Sequence, residues 1–124
     1  MRKPSSGFSR NLRIRAIHQL VAGAKEATGL TVVIDVFRAF SSACYVCAKG
    51  AENIIAVVEV ETALSLKNKH PEYLWMGERN EKMPAGFDFG NSPSQLEHFD
   101  FKGRTVVQTT SAGTRGLVNA DRAD

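Results

Sequence analysis

The sequence predicts an α/β fold of three layers, a mostly parallel sheet between helices, with part of that sheet missing. Three observations carry this expectation. Apolar runs at residues 30–36 (LTVVIDV), 53–58 (NIIAVV) and 104–109 (RTVVQT) have the β-branched content of strands buried on both faces. Between them lie stretches with apolar residues at helical spacing, closed by Gly or Pro. Alternation at this spacing is how parallel strands joined by right-handed helical crossovers read in sequence.

Taken in order, residues 12–16 (LRIRA) alternate apolar and basic side chains, the pattern of a short half-exposed strand. Residues 18–28 place Leu20, Val21, Ala24 and Ala27 at helical spacing, and Gly29 stops them. The strand at 30–36 leads into a helix over 37–49, closed by Gly50. A strand at 53–58 precedes a helix over 60–69 with Ala63, Leu64 and Leu66 inward, ended before Pro71. Residues 73–76 form the next buried strand, with Tyr73 and Trp75 in the core or at its rim. A short helix over 92–98 has Pro93 in its first turn, and the strand at 104–109 leads into a helix over 114–120. The sequence then ends at NADRAD, where the pattern calls for another strand. Such an ending leaves an exposed sheet edge, so residues 12–124 are expected to be the N-terminal part of one longer α/β domain.

Composition narrows the class. At 43% hydrophobic and 23% charged residues, the chain has an ordinary globular make-up. No apolar run approaches the ~20 residues that span a bilayer. The formal charge of +3 comes from Arg2, Lys3, Arg10, Arg13 and Arg15, and the rest of the chain is slightly acidic. Residues 1–11 therefore read as a flexible basic tail, and a nucleic-acid partner is disfavoured because the body has no basic stripe or stacking aromatics. Cys44 and Cys47 form CYVC inside the helix over 37–49. A redox pair needs its first sulfur at a helix N-terminus, so both read as buried structural thiols in a reducing cytoplasm. The three histidines have no metal-ligand spacing.

The chemistry concentrates in three polar segments, each just after a strand. In DVFRAFSS, Asp35 is costly to bury unless it is paired or metal-bound, so it reads as a Mg²⁺ ligand, a catalytic carboxylate, the partner of Arg38 or a helix cap. Arg38 at a helix N-terminus opposes the helix dipole and calls for an anion, to which Ser41 and Ser42 could also donate. In MGERNEKMPAGFDFGNSP, Glu78, Arg79 and Asp88 bring two carboxylates and a guanidinium into one loop, while Asn91 and Ser92 suit a helix cap. In QTTSAGTRG, the residues Thr109, Thr110, Ser111, Gly113, Thr114 and Arg115 make a hydroxyl-rich turn into a helix, a cradle for an anion. The turn lacks the GxxxxGK[ST] spacing of a nucleotide P-loop.

At VVIDVFRAFSSA, GERNEKMPAGFDFGNSP and QTTSAGTRG, in that order, the chain resembles the 2-phosphosulfolactate phosphatase (ComB-like) family. The resemblance implies an α/β/α fold and a Mg²⁺-dependent phosphatase that converts phosphosulfolactate to sulfolactate and phosphate on a route to coenzyme M. It also implies a protein longer than this chain.

The expected activity is hydrolysis of a small phosphorylated anion. Asp35, Arg38, Glu78 and Asp88 are the catalytic candidates, and Asp35, Glu78 and Asp88 the Mg²⁺ ligands. Ser41, Ser42, Arg79, Asn91, Thr109, Thr110, Ser111, Gly113, Thr114 and Arg115 are the candidates for holding substrate. A phosphate- or sulfonate-binding module without turnover is the alternative, and self-association of the chain is left open.

Overall fold

The computed structural model describes residues 20–36 and 38–123. The basic tail, the expected strand at 12–16 and the start of the first helix lie outside the described residues. Eight elements follow in order: α1 (Leu20–Lys25), α2 (Ala39–Ala48), β1 (Asn53–Ala56), α3 (Val60–Lys69), β2 (Leu74–Gly77), α4 (Pro93–Leu96), β3 (Thr105–Thr109) and α5 (Gly113–Asn119). The three strands form one parallel sheet in the order β1-β3-β2.

The strand period of two divides the core into two layers. Leu74, Met76 and Val106 point to one face and meet Val46 of α2, Leu96 of α4 and Phe101. Trp75 and Val107 point to the other and meet Val57, Phe87 and Ala63 of α3. Helices thus cover both faces, which is the three-layer arrangement that the alternating sequence predicts. Burying a side chain such as Met76 or Val106 contributes about 1.5–3 kcal/mol, and β3 has such residues on both faces because it is the middle strand. Its polar Gln108 is accommodated in the core by donating from Nε2 to the Ala39 carbonyl at 2.8 Å.

Three expectations are corrected. The segment at 30–36 is not a buried strand: Leu30, Val32, Ile34 and Val36 are 91%, 78%, 80% and 69% exposed. β-branched content reports that a segment suits a pleated, packed surface, and it cannot supply the neighbouring strand. Among the described residues the one bridge near this segment joins Gly29 to Ala123. Cys44 and Cys47 are free and exposed, because α2 buries Ala39, Ser42 and Val46, a stripe that the two cysteines miss. Leu64 is exposed on α3, where the inward position is Ala63.

No helix among the described residues is long and apolar enough to cross a membrane.

Candidate active site

Parallel strands direct their following loops to one end of the sheet, where ligands of such folds bind. β2 ends at Gly77 and β3 at Thr109, side by side in register. The loops beyond them, together with the turn before α2 and the segment before α4, enclose a small cleft. Asp35, Arg38, Ala39, Glu78, Asn91, Thr110, Ser111, Ala112 and Gly113 line it.

Glu78 joins the two strand-end loops. Its Oε1 accepts from the Ser111 N–H at 2.6 Å, and its Oε2 accepts from the Ser111 hydroxyl and the Glu81 N–H, both at 3.1 Å. The Glu81 N–H faces Glu78 because residues 79–82 make a tight reverse turn. Arg79 and Lys82 exchange backbone hydrogen bonds, with positive φ at both Asn80 and Glu81. Burial raises the Glu78 pKa, but the Ser111 and Glu81 N–H groups, the Ser111 hydroxyl and the Arg79 charge outweigh it, and the net shift is downward. Because the folded value lies below the ordinary one, the stabilisation is complete above the ordinary value and is lost as pH falls through the folded value. Denaturant titrations should therefore show Glu78→Gln less stable than the parent at pH 7, with the gap closing as pH drops below the ordinary 4.5. A gap that persists into strong acid would mean that the charge contributes nothing.

The turn after β3 is closed by its own hydroxyls. Thr110 Oγ1 accepts from the Thr114 N–H at 3.0 Å, while Thr114 Oγ1 accepts from the Thr110 N–H at 3.1 Å and donates to the Thr110 carbonyl at 2.9 Å. Both threonines are buried. Gly113 allows a close approach here: a Cβ on it would stand 2.7 Å from Asp35 Oδ2 and 2.7 Å from the Ala39 Cβ. Its missing side chain lets the Asp35 carboxylate approach the start of α5.

Asp35 makes no hydrogen bond among the described residues, and no ion pair joins it to Arg38. Asn91 is 8% exposed, and its Oδ1 is buried without a partner.

The remaining candidates lie elsewhere. Asp88 is exposed, and its Oδ2 accepts from the Trp75 N–H at 2.8 Å, fastening the loop to β2. Arg79 donates to the Thr109 hydroxyl at 2.6 Å and to the Val58 and Glu78 carbonyls, so its guanidinium ties strand ends together. Thr109 is buried and also donates to Val58. Ser41 donates to the Val36 carbonyl at 2.6 Å, and Ser42 is buried in α2 with its hydroxyl unpartnered. Arg115 is exposed and outside the cleft lining. Ala39 and Ala112 line the cleft without a signal in the sequence, since small apolar side chains carry no chemistry of their own.

A family profile described as 2-phosphosulpholactate phosphatase matches residues 16–124, which include every lining residue of this cleft. The chain belongs to that family. Relatives named as probable 2-phosphosulfolactate phosphatases include one from Thermotoga petrophila, 43% identical over 84 residues, covering 68% of this chain and 36% of the relative. One from Clostridium tetani is 41% identical over 90 residues, covering 72% and 39%. One from Symbiobacterium thermophilum is 36% identical over 104 residues, covering 82% and 45%. The chain thus spans less than half the length of these members of the 2-phosphosulpholactate phosphatase family.

Proposed function

We propose that the cleft serves Mg²⁺-dependent hydrolysis of a phosphate monoester, with 2-phosphosulfolactate as the substrate, giving sulfolactate and phosphate on a route to coenzyme M. The observation that supports this most is the convergence of Asp35, Glu78, Arg38, Asn91 and the turn at 110–113 on one cleft in a chain of this family. Two free and exposed cysteines suit a reducing cytoplasm as the place of work.

The donor chemistry fits Mg²⁺. Among the described residues no cluster of three or more His, Cys, Asp or Glu could hold a metal. Mg²⁺ needs less than that, since it keeps several waters and is held by one or two carboxylates together with substrate phosphate. Asp35 and Glu78 supply those carboxylates, with the Asn91 carboxamide beside them. When bound, the cation would neutralise charge on the phosphoryl group, the main obstacle in one of the slowest uncatalysed reactions.

The chain's own groups divide the remaining work. Arg38 offers a guanidinium to the phosphoryl oxygens. Glu78 holds the Ser111 loop in place, and its oxygens are largely occupied in doing so. Asp35 is the carboxylate in the cleft that makes no hydrogen bond among the described residues, so it is the one available to receive a proton from the attacking water or to attack phosphorus itself.

Phosphate release from 2-phosphosulfolactate should be abolished by EDTA and restored by Mg²⁺. Equal release in both conditions would remove the cation from the reading. The alternative, a binding module without turnover, is favoured by the chain's spanning less than half of its relatives. Calorimetric binding of phosphate or sulfolactate with no product formed would select it.

A further inference from the structure

Cys44 and Cys47 are metal-ligating side chains outside the cleft lining. Both are free and exposed, and both belong to α2, three residues apart and therefore on one face. Such a pair can close into a disulfide, contribute to a zinc site or hold an ion by itself. A disulfide needs Cβ atoms about 3.5–4.5 Å apart, whereas residues three apart on a helix hold them about 5–6 Å apart, so oxidation would have to distort α2. The pair also lies in the second half of α2, away from the helix N-terminus where exchange-active cysteines sit. A structural zinc site takes four protein ligands, and among the described residues no group of three or more His, Cys, Asp or Glu could hold a metal. A single ion between two sulfurs meets neither difficulty. With metal–sulfur bonds of about 2.3 Å it spans sulfurs up to about 4.6 Å apart, which two cysteines on an undistorted helix can present.

We propose that Cys44 and Cys47 form a two-thiolate site for a soft cation that is satisfied by two ligands, Cu(I). Thiolates select soft cations, and Cu(I) accepts two sulfurs on opposite sides without a third ligand. Binding breaks both S–H bonds, forms two Cu–S bonds and releases two protons to solvent, with no change of oxidation state. Cu(I) is also the state that copper takes in a reducing environment, where thiols stay free. The site lies on α2 outside the cleft lining, so it stands or falls separately from the phosphatase chemistry.

The test titrates the reduced chain, without oxygen, into the coloured Cu(I)–bicinchoninate complex and reads the loss of colour. One equivalent of Cu(I) per chain should transfer, with no change of molecular mass by light scattering. Cys44→Ser and Cys47→Ser should each weaken binding at least a hundredfold, and circular dichroism should show both folded, since both positions are exposed. Cys47→Ser with Ala48→Cys places the second thiol four residues from Cys44 on the same face and should restore the affinity. Cys47→Ser with Tyr45→Cys places it next to Cys44 on another face and should not. Zn²⁺, read against a zinc-binding dye, should bind at least a hundredfold more weakly than Cu(I). Retention of Cu(I) by either serine variant, no rescue by Ala48→Cys, equal affinity for Zn²⁺, or copper taken up only between two chains would each overturn the proposal. So would ready closure of the pair into a disulfide by oxidised glutathione with the helix content unchanged.

Discussion

Gly77→Ala should destabilise the fold by about 3 kcal/mol or more, at the upper end of what overpacking costs, and should lower the urea midpoint accordingly. Gly77 is the last residue of β2 and pairs with Thr109, the last of β3. A Cβ there would fall far inside contact of the Thr109 carbonyl oxygen and 3.0 Å from its carbon. Neither backbone can yield cheaply. The Thr109 carbonyl accepts from the Glu78 N–H at 3.0 Å, and the Gly77 N–H donates to the Phe89 carbonyl at 3.1 Å. Thr109 is also tied through its hydroxyl to Val58 and Arg79. Relief of the clash therefore means opening the end of the sheet that carries Glu78. Gly86→Ala is the control: Gly86 has φ of +81° but nothing within 4 Å of its Cβ position, so only the left-handed backbone penalty of about 1–2 kcal/mol applies. Equal midpoints for the two variants would show that the β2–β3 contact is softer than its geometry implies.

The same close approach marks where sequence reading stops. The alternation of NIIAVV, YLWM and RTVVQT with helical spacing was enough to place three parallel strands and helices on both faces, because strand and helix periods follow directly from which residues are apolar. The convergence of Asp35, Glu78 and Gly113 was legible too, since parallel strands carry their following loops to one end. Side-chain direction was not legible. Asp88 and Arg79 are as polar as Glu78, yet one caps the Trp75 N–H and the other braces Thr109, because each found an unpaired backbone or hydroxyl group within reach. The CYVC pair failed for a different reason: an i, i+3 spacing establishes a shared face without saying which face is inward, and Ser42 and Val46 took that place. The run at 30–36 shows a third limit, since a strand-forming composition says nothing about whether a partner strand lies beside it.

Asp35→Asn should lower phosphate release about a thousandfold, the scale on which a preorganised charged or hydrogen-bonding group acts on a developing transition state. The loss should appear in kcat, with the denaturation midpoint unchanged, because Asp35 makes no hydrogen bond among the described residues that the substitution would remove. This separates Asp35 from Glu78, whose removal unfastens the Ser111 loop and should disturb stability and turnover together. Gly113→Ala offers a graded intermediate: its Cβ would press from 2.7 Å on both Asp35 Oδ2 and the Ala39 Cβ, displacing the carboxylate and the start of α2 without neutralising the charge, so turnover should fall by less than in Asp35→Asn while the midpoint also drops. That order, with Asn worse than displacement, follows if the charge of Asp35 performs the chemistry. The reverse order would mean that the residue matters only for the shape of the cleft, and an unchanged rate in Asp35→Asn would take it out of the mechanism altogether.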